Sequence, residues 1–323
     1  MASKSSRPIV TLTINPALDK STTIERLVPE DKLRCDKPRF EAGGGGINVA
    51  KAIHRLGGKP LAVLTSGGPV GQHLQSLVKA EGVDIEVVET KEWTRENLNV
   101  VETYTGLQYR FSMPGPTLMP TEVDAILDTL NDIEPAPSFI VASGSLPSGV
   151  PDNFYSEVAK IAKKRGSHFV ADTSGEALRL ASESGVYLLK PNILELSQLV
   201  GTDHLEMGEV DEAAMALIVR GHCEVVVVSM GPMGAMLVTA DQVEHIAAPP
   251  VTVKSTVGAG DSMVAGMVWT LAQGKSIREA VRMGVACGSA ATMNPGSELF
   301  KMNDVNRLLD WLNRYGQRYS AGN

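Results

Sequence analysis

The sequence predicts an α/β fold: a mainly parallel central sheet with helices on both faces, plus a small β-sheet lid. Three observations lead there. Short β-rich runs alternate with amphipathic helical stretches along most of the 323 residues, the pattern of βα units feeding one sheet. The strand runs are nearly continuous in apolar residues, as in Val225-Val226-Val227-Val228, which suits strands covered on both sides. Two stretches, Thr22–Arg39 and Asn97–Met113, break the alternation with strand-like patterning and no helix between the strands.

In chain order, main-sheet strands are expected over Ile9–Ile14, Leu61–Thr65, Phe139–Ala142, His168–Ala171, Val186–Leu189 and Val225–Ser229. Helices are expected over Asn48–Leu56, Gln72–Glu81, Thr121–Ile133, Asn153–Arg165, Asp211–Arg220, Ser262–Gln273, Ile277–Met293 and Asn303–Tyr315, where apolar side chains recur at helical spacing. Val100–Tyr104 and Leu107–Phe111 flank Thr105-Gly106, which reads as a hairpin. The irregular stretches together read as a flap, inserted at about residues 20–40 and 90–113 of a single domain spanning 1–323. The other reading is an antiparallel edge of the main sheet.

Composition narrows the function. A hydrophobic content of 43% supports a large core, and 5% aromatics makes it aliphatic. A net charge of −7 and a pI of about 5.5 argue against general nucleic-acid or anionic-membrane binding. Any anionic substrate must then be held by a few local cations and by main-chain N–H groups. Cys35, Cys223 and Cys287 are scattered, with no zinc-like spacing. The six histidines show no metalloprotease or triad spacing. The start, Met1–Pro8, has no apolar core of a secretory leader, and no apolar run is long enough to span a bilayer. A cytoplasmic location is expected.

The most informative segment is Thr256-Val257-Gly258-Ala259-Gly260-Asp261-Ser262, ahead of a helix-like run. Glycines at a helix start leave bare N–H groups at the positive end of the helix dipole, which makes an anion hole. A carboxylate there repels an anion. It makes sense as a base that takes a proton from a nucleophile while the hole holds the developing charge, as phosphoryl transfer to a hydroxyl requires. The alternative reading is that Asp261 merely caps the helix.

Other segments keep two readings each. Gly43–Gly46 before Asn48 is a flexible loop or a place where backbone meets a ligand. The helix start favours the ligand, with Asn48 as cap or as partner to a hydroxyl. Asn15-Pro16-Ala17-Leu18-Asp19 is a turn, or places Asp19 to clamp sugar hydroxyls beyond a strand end. Asn192 and Glu195 have capping-box spacing, or face a metal–nucleotide site through water. Gly231 and Gly234 after Ser229 are a turn between strands, or let backbone lie along a nucleotide. Lys32, Arg34, Arg95 and Arg110 on the flap are surface charges, or hold a phosphate that is not transferred; Arg95 is the best suited, because a guanidinium grips phosphate through two parallel bonds.

Taken together and in order, from about Ile9 to about Leu309, these motifs resemble the ribokinase-like (PfkB) sugar kinases. Thr256–Ser262 is similar to that family's catalytic motif and Gly43–Asn48 to its amino-terminal one. Asn192-Ile193-Leu194-Glu195 matches its Asn-x-x-Glu motif, and Ser143–Gly149 also fits. Within the family the chain is most similar to the 6-phosphofructokinase branch of phosphosugar kinases, on Asn15–Asp19, Lys32-Leu33-Arg34-Cys35, Gly43–Asn48, Trp93-Thr94-Arg95 and Gln108–Pro114. The 1-phosphofructokinase and tagatose-6-phosphate kinase branches usually carry Lys inside the glycine run, where Gly45 stands here.

The resemblance implies a three-layer sandwich and ATP-dependent phosphorylation of fructose 6-phosphate at its C1 hydroxyl. The two other branches supply the alternative activities. It implies Asp261 as base and Gly258, Ala259 and Gly260 as anion hole. Asp19, Gly44, Gly45, Gly46, Asn48 and Ser145 would hold the sugar, with Lys32, Arg34 and Arg95 near its 6-phosphate. Lys190, Asn192, Ser229, Gly231 and Gly234 would lie along ATP, with Glu195 ordering Mg²⁺ through water. Ser255, Val257, Ala291, Asn294 and Gly296 fall at the family's monovalent-cation positions, where oxygen ligands suit K⁺. The flap would join two copies as a homodimer. A nicotinamide dehydrogenase fits poorly, because Met263 stands where the third glycine of a dinucleotide fingerprint belongs and the motif lies late in the chain. A non-catalytic sensor would have no need of Asp261.

Overall fold

Apolar strand runs bounded by turn residues build two sheets in the computed structural model, which describes residues 7–319. The leader reading of the first residues therefore falls largely outside the described residues. The first third of the chain gives β1 (Ile9–Thr13), β2 (Ala17–Ile24), β3 (Arg39–Gly43), α1 (Gly45–Arg55), β4 (Pro60–Ser66), α2 (Gly68–Ala80), β5 (Asp84–Glu89), β6 (Arg95–Glu102) and β7 (Gln108–Phe111). Then come α3 (Pro120–Asp132), β8 (Phe139–Ser143), α4 (Phe154–Lys164), β9 (His168–Asp172), α5 (Gly175–Glu183), β10 (Val186–Leu189), α6 (Ile193–Val200) and α7 (Val210–Val219). The chain continues through β11 (Cys223–Ser229), β12 (Ala235–Thr239), β13 (Gln242–Ile246), α8 (Ala259–Ala272), α9 (Ile277–Thr292) and α10 (Met302–Tyr319).

The nine-stranded sheet runs β13-β12-β11-β10-β9-β8-β1-β4-β5. Its pairings are parallel from β5 through to β11, and β12 and β13 add an antiparallel edge. Alternate residues of each strand feed opposite cores, as the pleat dictates. Val226 and Val228 join α3 to α7 on one face, whereas Val225 and Val227 join α1, α8, α9 and α10 on the other. This is the expected three-layer arrangement. The second sheet, ordered β3-β2-β6-β7, is separate from the first, so the flap is a lid and not an edge of the main sheet.

The structure differs from the sequence reading in several places. β2 and β6 begin before the two expected stretches, β3 runs beyond the end of the first, and residues 25–38 form no strand. β5, β12, β13, α5 and α6 were not anticipated. β5 alternates acidic and apolar residues and is half exposed, so it lacks the continuous apolar signal. α1 starts inside the glycine run, and Asn48 is no cap: its N–H bonds the Gly44 carbonyl at 2.9 Å. α8 is capped by Gly258, at φ 73. Asp261 is therefore free of capping duty.

α8 and α9 pack closely enough that a Cβ on Gly266 would sit 2.9 Å from the Met283 carbonyl oxygen and 3.0 Å from Cys287 Sγ. Gly266→Val is expected to cost about 1–3 kcal/mol through overpacking. A fall in the urea midpoint at unchanged m-value would confirm it, and an unchanged midpoint would contradict it.

Candidate active site

The parallel strands end along one edge of the sheet, and each hands a polar residue to that edge. Ser143 and Asp172 close β8 and β9, Lys190 follows β10, and Ser229 ends β11. Strand order reverses direction between β8 and β1, and open α/β sheets place ligands beyond the strand ends at such a switch point.

α8 points its first turn at this crevice. The amides of Gly258, Gly260 and Asp261 have no acceptor among the described residues, so they are available to an anion. Ala259 differs from expectation, because its N–H turns to the Thr256 carbonyl at 3.3 Å. Asp261 is partly buried at the start of α8. Its Oδ2 accepts from Asn48 Nδ2 at 2.9 Å, and its Oδ1 lies 3.3 Å from the Ser143 hydroxyl. Burial and then the nearby Asp172 carboxylate push Asp261 up to about 6, against the opposing pull of Asn48, Lys190 and Ser143. Asn48 was expected at the sugar; here it orients the acid.

Lys190 is buried, with its Nζ 3.1 Å from Asp172 Oδ1. A Cβ on Gly260 would lie 3.3 Å from that Nζ, so the ammonium stands against the amide cradle. Burial works against its charge, but the Asp172, Glu195 and Asp261 carboxylates outweigh that and hold it above the ordinary lysine range. Asp172 escaped the sequence reading. The available signal was an acid directly after the apolar run Phe169-Val170-Ala171.

The glycine run packs against protein. A Cβ on Gly45 would sit 2.1 Å from Ser143 Oγ, and one on Gly46 would sit 2.4 Å from the Leu12 carbonyl oxygen. Close approach of α1 to β1 and β8 thus demands glycine before any ligand is considered. The Gly45 and Gly46 amides still lack acceptors among the described residues.

Between lid strands β2 and β6, Asp19 Oδ1 accepts from Asn97 Nδ2 at 2.8 Å. Burial raises the Asp19 pKa, Asn97 and Arg95 oppose the rise, and Glu41 adds to it. Asn15 Nδ2 donates to Ser145 Oγ at 3.1 Å. Arg95 is less free than expected. Its terminal nitrogens donate to the Met113 and Asn15 carbonyls, each at 3.1 Å, and its buried Nε has no partner. Lys32 and Arg34 are exposed on the segment between β2 and β3, with no hydrogen bond or ion pair among the described residues.

A cavity of about 470 Å³ opens beside the cradle, lined by Ser229, Gly231, Gly234, Ala259 and Gly260 with apolar Val251, Met263 and Val285. Its α9 wall, including Ser289 and Thr292, was not foreseen, because these residues sit in an ordinary helical pattern. Asn192 and Glu195 form the capping box. Asn192 Oδ1 accepts from the Glu195 N–H at 2.8 Å, and Glu195 Oε2 accepts from the Asn192 N–H at 2.9 Å. Glu195 Oε1 carries no hydrogen bond among the described residues. Ser255 Oγ donates to the Gly296 carbonyl at 2.7 Å, and buried Asn294 bonds the Ala291 carbonyl through its N–H at 3.1 Å. These contacts tie together the two loops expected to hold a monovalent cation. Among the described residues, no three His, Cys, Asp or Glu side chains cluster as a metal site.

The sequence model of the pfkB family carbohydrate kinases matches residues 10–302. The chain belongs to that family. It is 44% identical over 307 residues to ATP-dependent 6-phosphofructokinase isozyme 2 of Escherichia coli K12, covering 95% of this chain and 99% of that protein. It is 32% identical to the 1-phosphofructokinase of Bacillus subtilis over 296 residues, 90% and 95% of the two chains. The crystal structure of Escherichia coli phosphofructokinase-2 in complex with potassium superposes with a TM-score of 0.92 at 44% identity, covering 95% of this chain and all of that one. No helix among the described residues is long and apolar enough to cross a membrane.

In this pfkB kinase the raised pKa of Asp261 has a stability consequence with a definite sign. A carboxylate whose folded pKa lies above its unfolded value destabilises the fold at higher pH, and the penalty fades as pH falls through the folded and then the unfolded value. Asp261→Asn should therefore raise stability by about 2–3 kcal/mol near pH 7.5, with the gain shrinking toward zero near pH 4. Urea midpoints across that range decide it, and a gain independent of pH would contradict it.

Proposed function

We propose that the chain is an ATP-dependent 6-phosphofructokinase, transferring the γ-phosphoryl group of ATP to the C1 hydroxyl of fructose 6-phosphate, within one kinase domain bearing a lid. The supporting observation is the Asp261 carboxylate, oriented by Asn48 and adjoining the unbonded Gly258 and Gly260 amides. ATP fills the cavity between Ser229, Gly234 and α9, with its phosphates directed to the cradle and Lys190. Asp19, the Gly45 and Gly46 amides and Ser145 hold the sugar, and Arg95, Lys32 and Arg34 provide the positive side for its phosphate.

Asp261 accepts the hydroxyl proton as the oxygen attacks, while the cradle amides and the Lys190 ammonium meet the charge that builds on the phosphoryl oxygens. A pKa of about 6 leaves Asp261 ionised near neutral pH yet more basic than an ordinary aspartate. The free Oε1 of Glu195 suits a water-mediated contact to Mg²⁺, which when bound would neutralise nucleotide phosphate charge. The Ser255, Val257, Ala291, Asn294 and Gly296 loops offer uncharged oxygens, a donor set that fits K⁺, and such an ion would steady the start of α8.

Turnover should be highest with fructose 6-phosphate in a coupled assay that also offers fructose 1-phosphate and tagatose 6-phosphate; a higher kcat/KM for either rival would overturn the substrate assignment. Asp261→Asn should lose about 10²–10⁴-fold in kcat while still binding both substrates. In the wild type, kcat/KM should fall as pH drops through about 6, because the protonated acid cannot accept the proton. Near-normal kcat in the variant would remove Asp261 from the mechanism.

Val28, Tyr104, Leu107 and Phe111 are exposed apolar side chains of the lid, and β7 is an unpaired edge. That combination supports homodimerisation through the lid. Leu107→Asp with Phe111→Asp is expected to halve the mass measured by sedimentation. An unchanged mass would place the contact elsewhere.

A further inference from the structure

We infer that Asn97, on the lid strand β6, is a positioning residue for the sugar: its amide fixes which oxygen of Asp19 faces the substrate. This rests on the phosphosugar-kinase reading above and deepens it. Asp19 and Asn97 sit opposite each other in the parallel β2–β6 register. Asn97 Nδ2 donates to Asp19 Oδ1 at 2.8 Å, and Asn97 Oδ1 accepts from the Met113 N–H at 3.1 Å. The two partners make opposite demands, so the amide has one allowed orientation: the carboxylate only accepts and the main-chain N–H only donates. With Oδ1 held, Asp19 Oδ2 has no hydrogen bond among the described residues. It lies over Gly43, where a Cβ would sit 2.1 Å away. Oδ2 is thus the acceptor left for a sugar hydroxyl.

The other charged groups facing Asp19 are Arg95 on β6, Glu41 on β3 and Lys51 on α1. None of them hydrogen-bonds it. Arg95 is committed to the Met113 and Asn15 carbonyls, Lys51 to the Ala42 carbonyl and Glu81, and Glu41 to Ser297 and Arg39. Among the described residues, Asn97 is the one hydrogen-bond donor to the Asp19 carboxylate. Arg95 and Asn97 lie two apart on one strand, so they share a face, and between them they grip both main-chain groups of Met113. The same amide therefore sets the carboxylate and pins the segment leaving the lid.

The test uses the full-length protein and three variants: Asn97→Leu removes both bonds at similar size, Asn97→Asp replaces the donor by a second acid, and Asn97→Ser keeps a small donor. Calorimetry gives the sugar Kd, and steady-state kinetics give kcat and both KM values. Asn97→Leu should weaken sugar binding 10-fold or more, with kcat and the ATP KM within about twofold of wild type. Asn97→Ser should recover part of that loss. Asn97→Asp should bind sugar worst near pH 8 and regain affinity as pH falls toward 6. There a proton shared by the two carboxyls would restore a donor; the wild type should show no such recovery.

A purely structural role would raise both KM values together and show no acid recovery. A weakened sugar Kd in a variant that retains the wild-type ATP KM separates the two roles. A sugar Kd within twofold of wild type for Asn97→Leu, or a wild-type pH dependence for Asn97→Asp, overturns the inference. Wild-type protein is measured first on all three sugar phosphates, and the variants are then compared on whichever it binds most tightly. A wrong substrate assignment is thereby kept apart from a wrong role for Asn97.

Discussion

On the proposed reading, a carboxylate must keep its charge deep in the cleft, beside the helix end that would hold an incoming phosphate. Everything else in the site answers to that requirement. Withdrawing a carboxylate from water is costly unless it is hydrogen-bonded. A direct ion pair would stabilise the charge but would also lower the pKa and weaken the base. The structure takes a middle course. Asp261 is held by the neutral amide of Asn48 and approached by the Ser143 hydroxyl, whereas the buried Lys190 ammonium bonds Asp172. The cation stays near the cradle without quenching the acid.

That arrangement needs elements from both ends of the chain. Asn48 and Asp261 are 213 positions apart, yet α1 and α8 lie against one face of the sheet and share a core. α1 reaches the strand ends only because Gly45 and Gly46 let its first turn touch Ser143 and the Leu12 carbonyl. The glycine run is thus first a packing requirement on the helix that carries Asn48. A side chain at Gly45 would push α1 away, and the amide that orients Asp261 would move with it.

Much of this was legible in the sequence, because it rests on local signals. Continuous valines marked β11, helical spacing marked α8 and α9, and the paired glycines before Asp261 marked the cradle. The separate lid followed from strand-like runs with no helix between them. The parts that were missed are long-range. Asp172 ends a strand like many other acids, and only the fold brings it to Lys190. Asn48 looks like a helix cap until α8 is seen beside it. Arg95 looks like a free phosphate clamp until Asn15 and Met113 close on its terminal nitrogens. β5 was hidden because its alternation of acidic and apolar residues reads as surface.

Asp19 and Asp261 show one device used twice. Burial raises the pKa of each, and each accepts from an asparagine on a different element, at 2.8 Å from Asn97 and 2.9 Å from Asn48. An amide is suited to both places, since it orients one oxygen while leaving the carboxylate its negative charge; the second oxygen is unbonded at Asp19 and met by the Ser143 hydroxyl at Asp261. Lysine in either place would donate as well, but it would cancel the charge and, at Asp261, the basicity. The separation of duties then follows from position alone. Asp19 belongs to the lid strand β2, whereas Asp261 belongs to the first turn of α8, beside the cradle. On the proposed reading, binding and chemistry fall to two acids of the same design, one on a lid strand and the other on the first turn of a core helix.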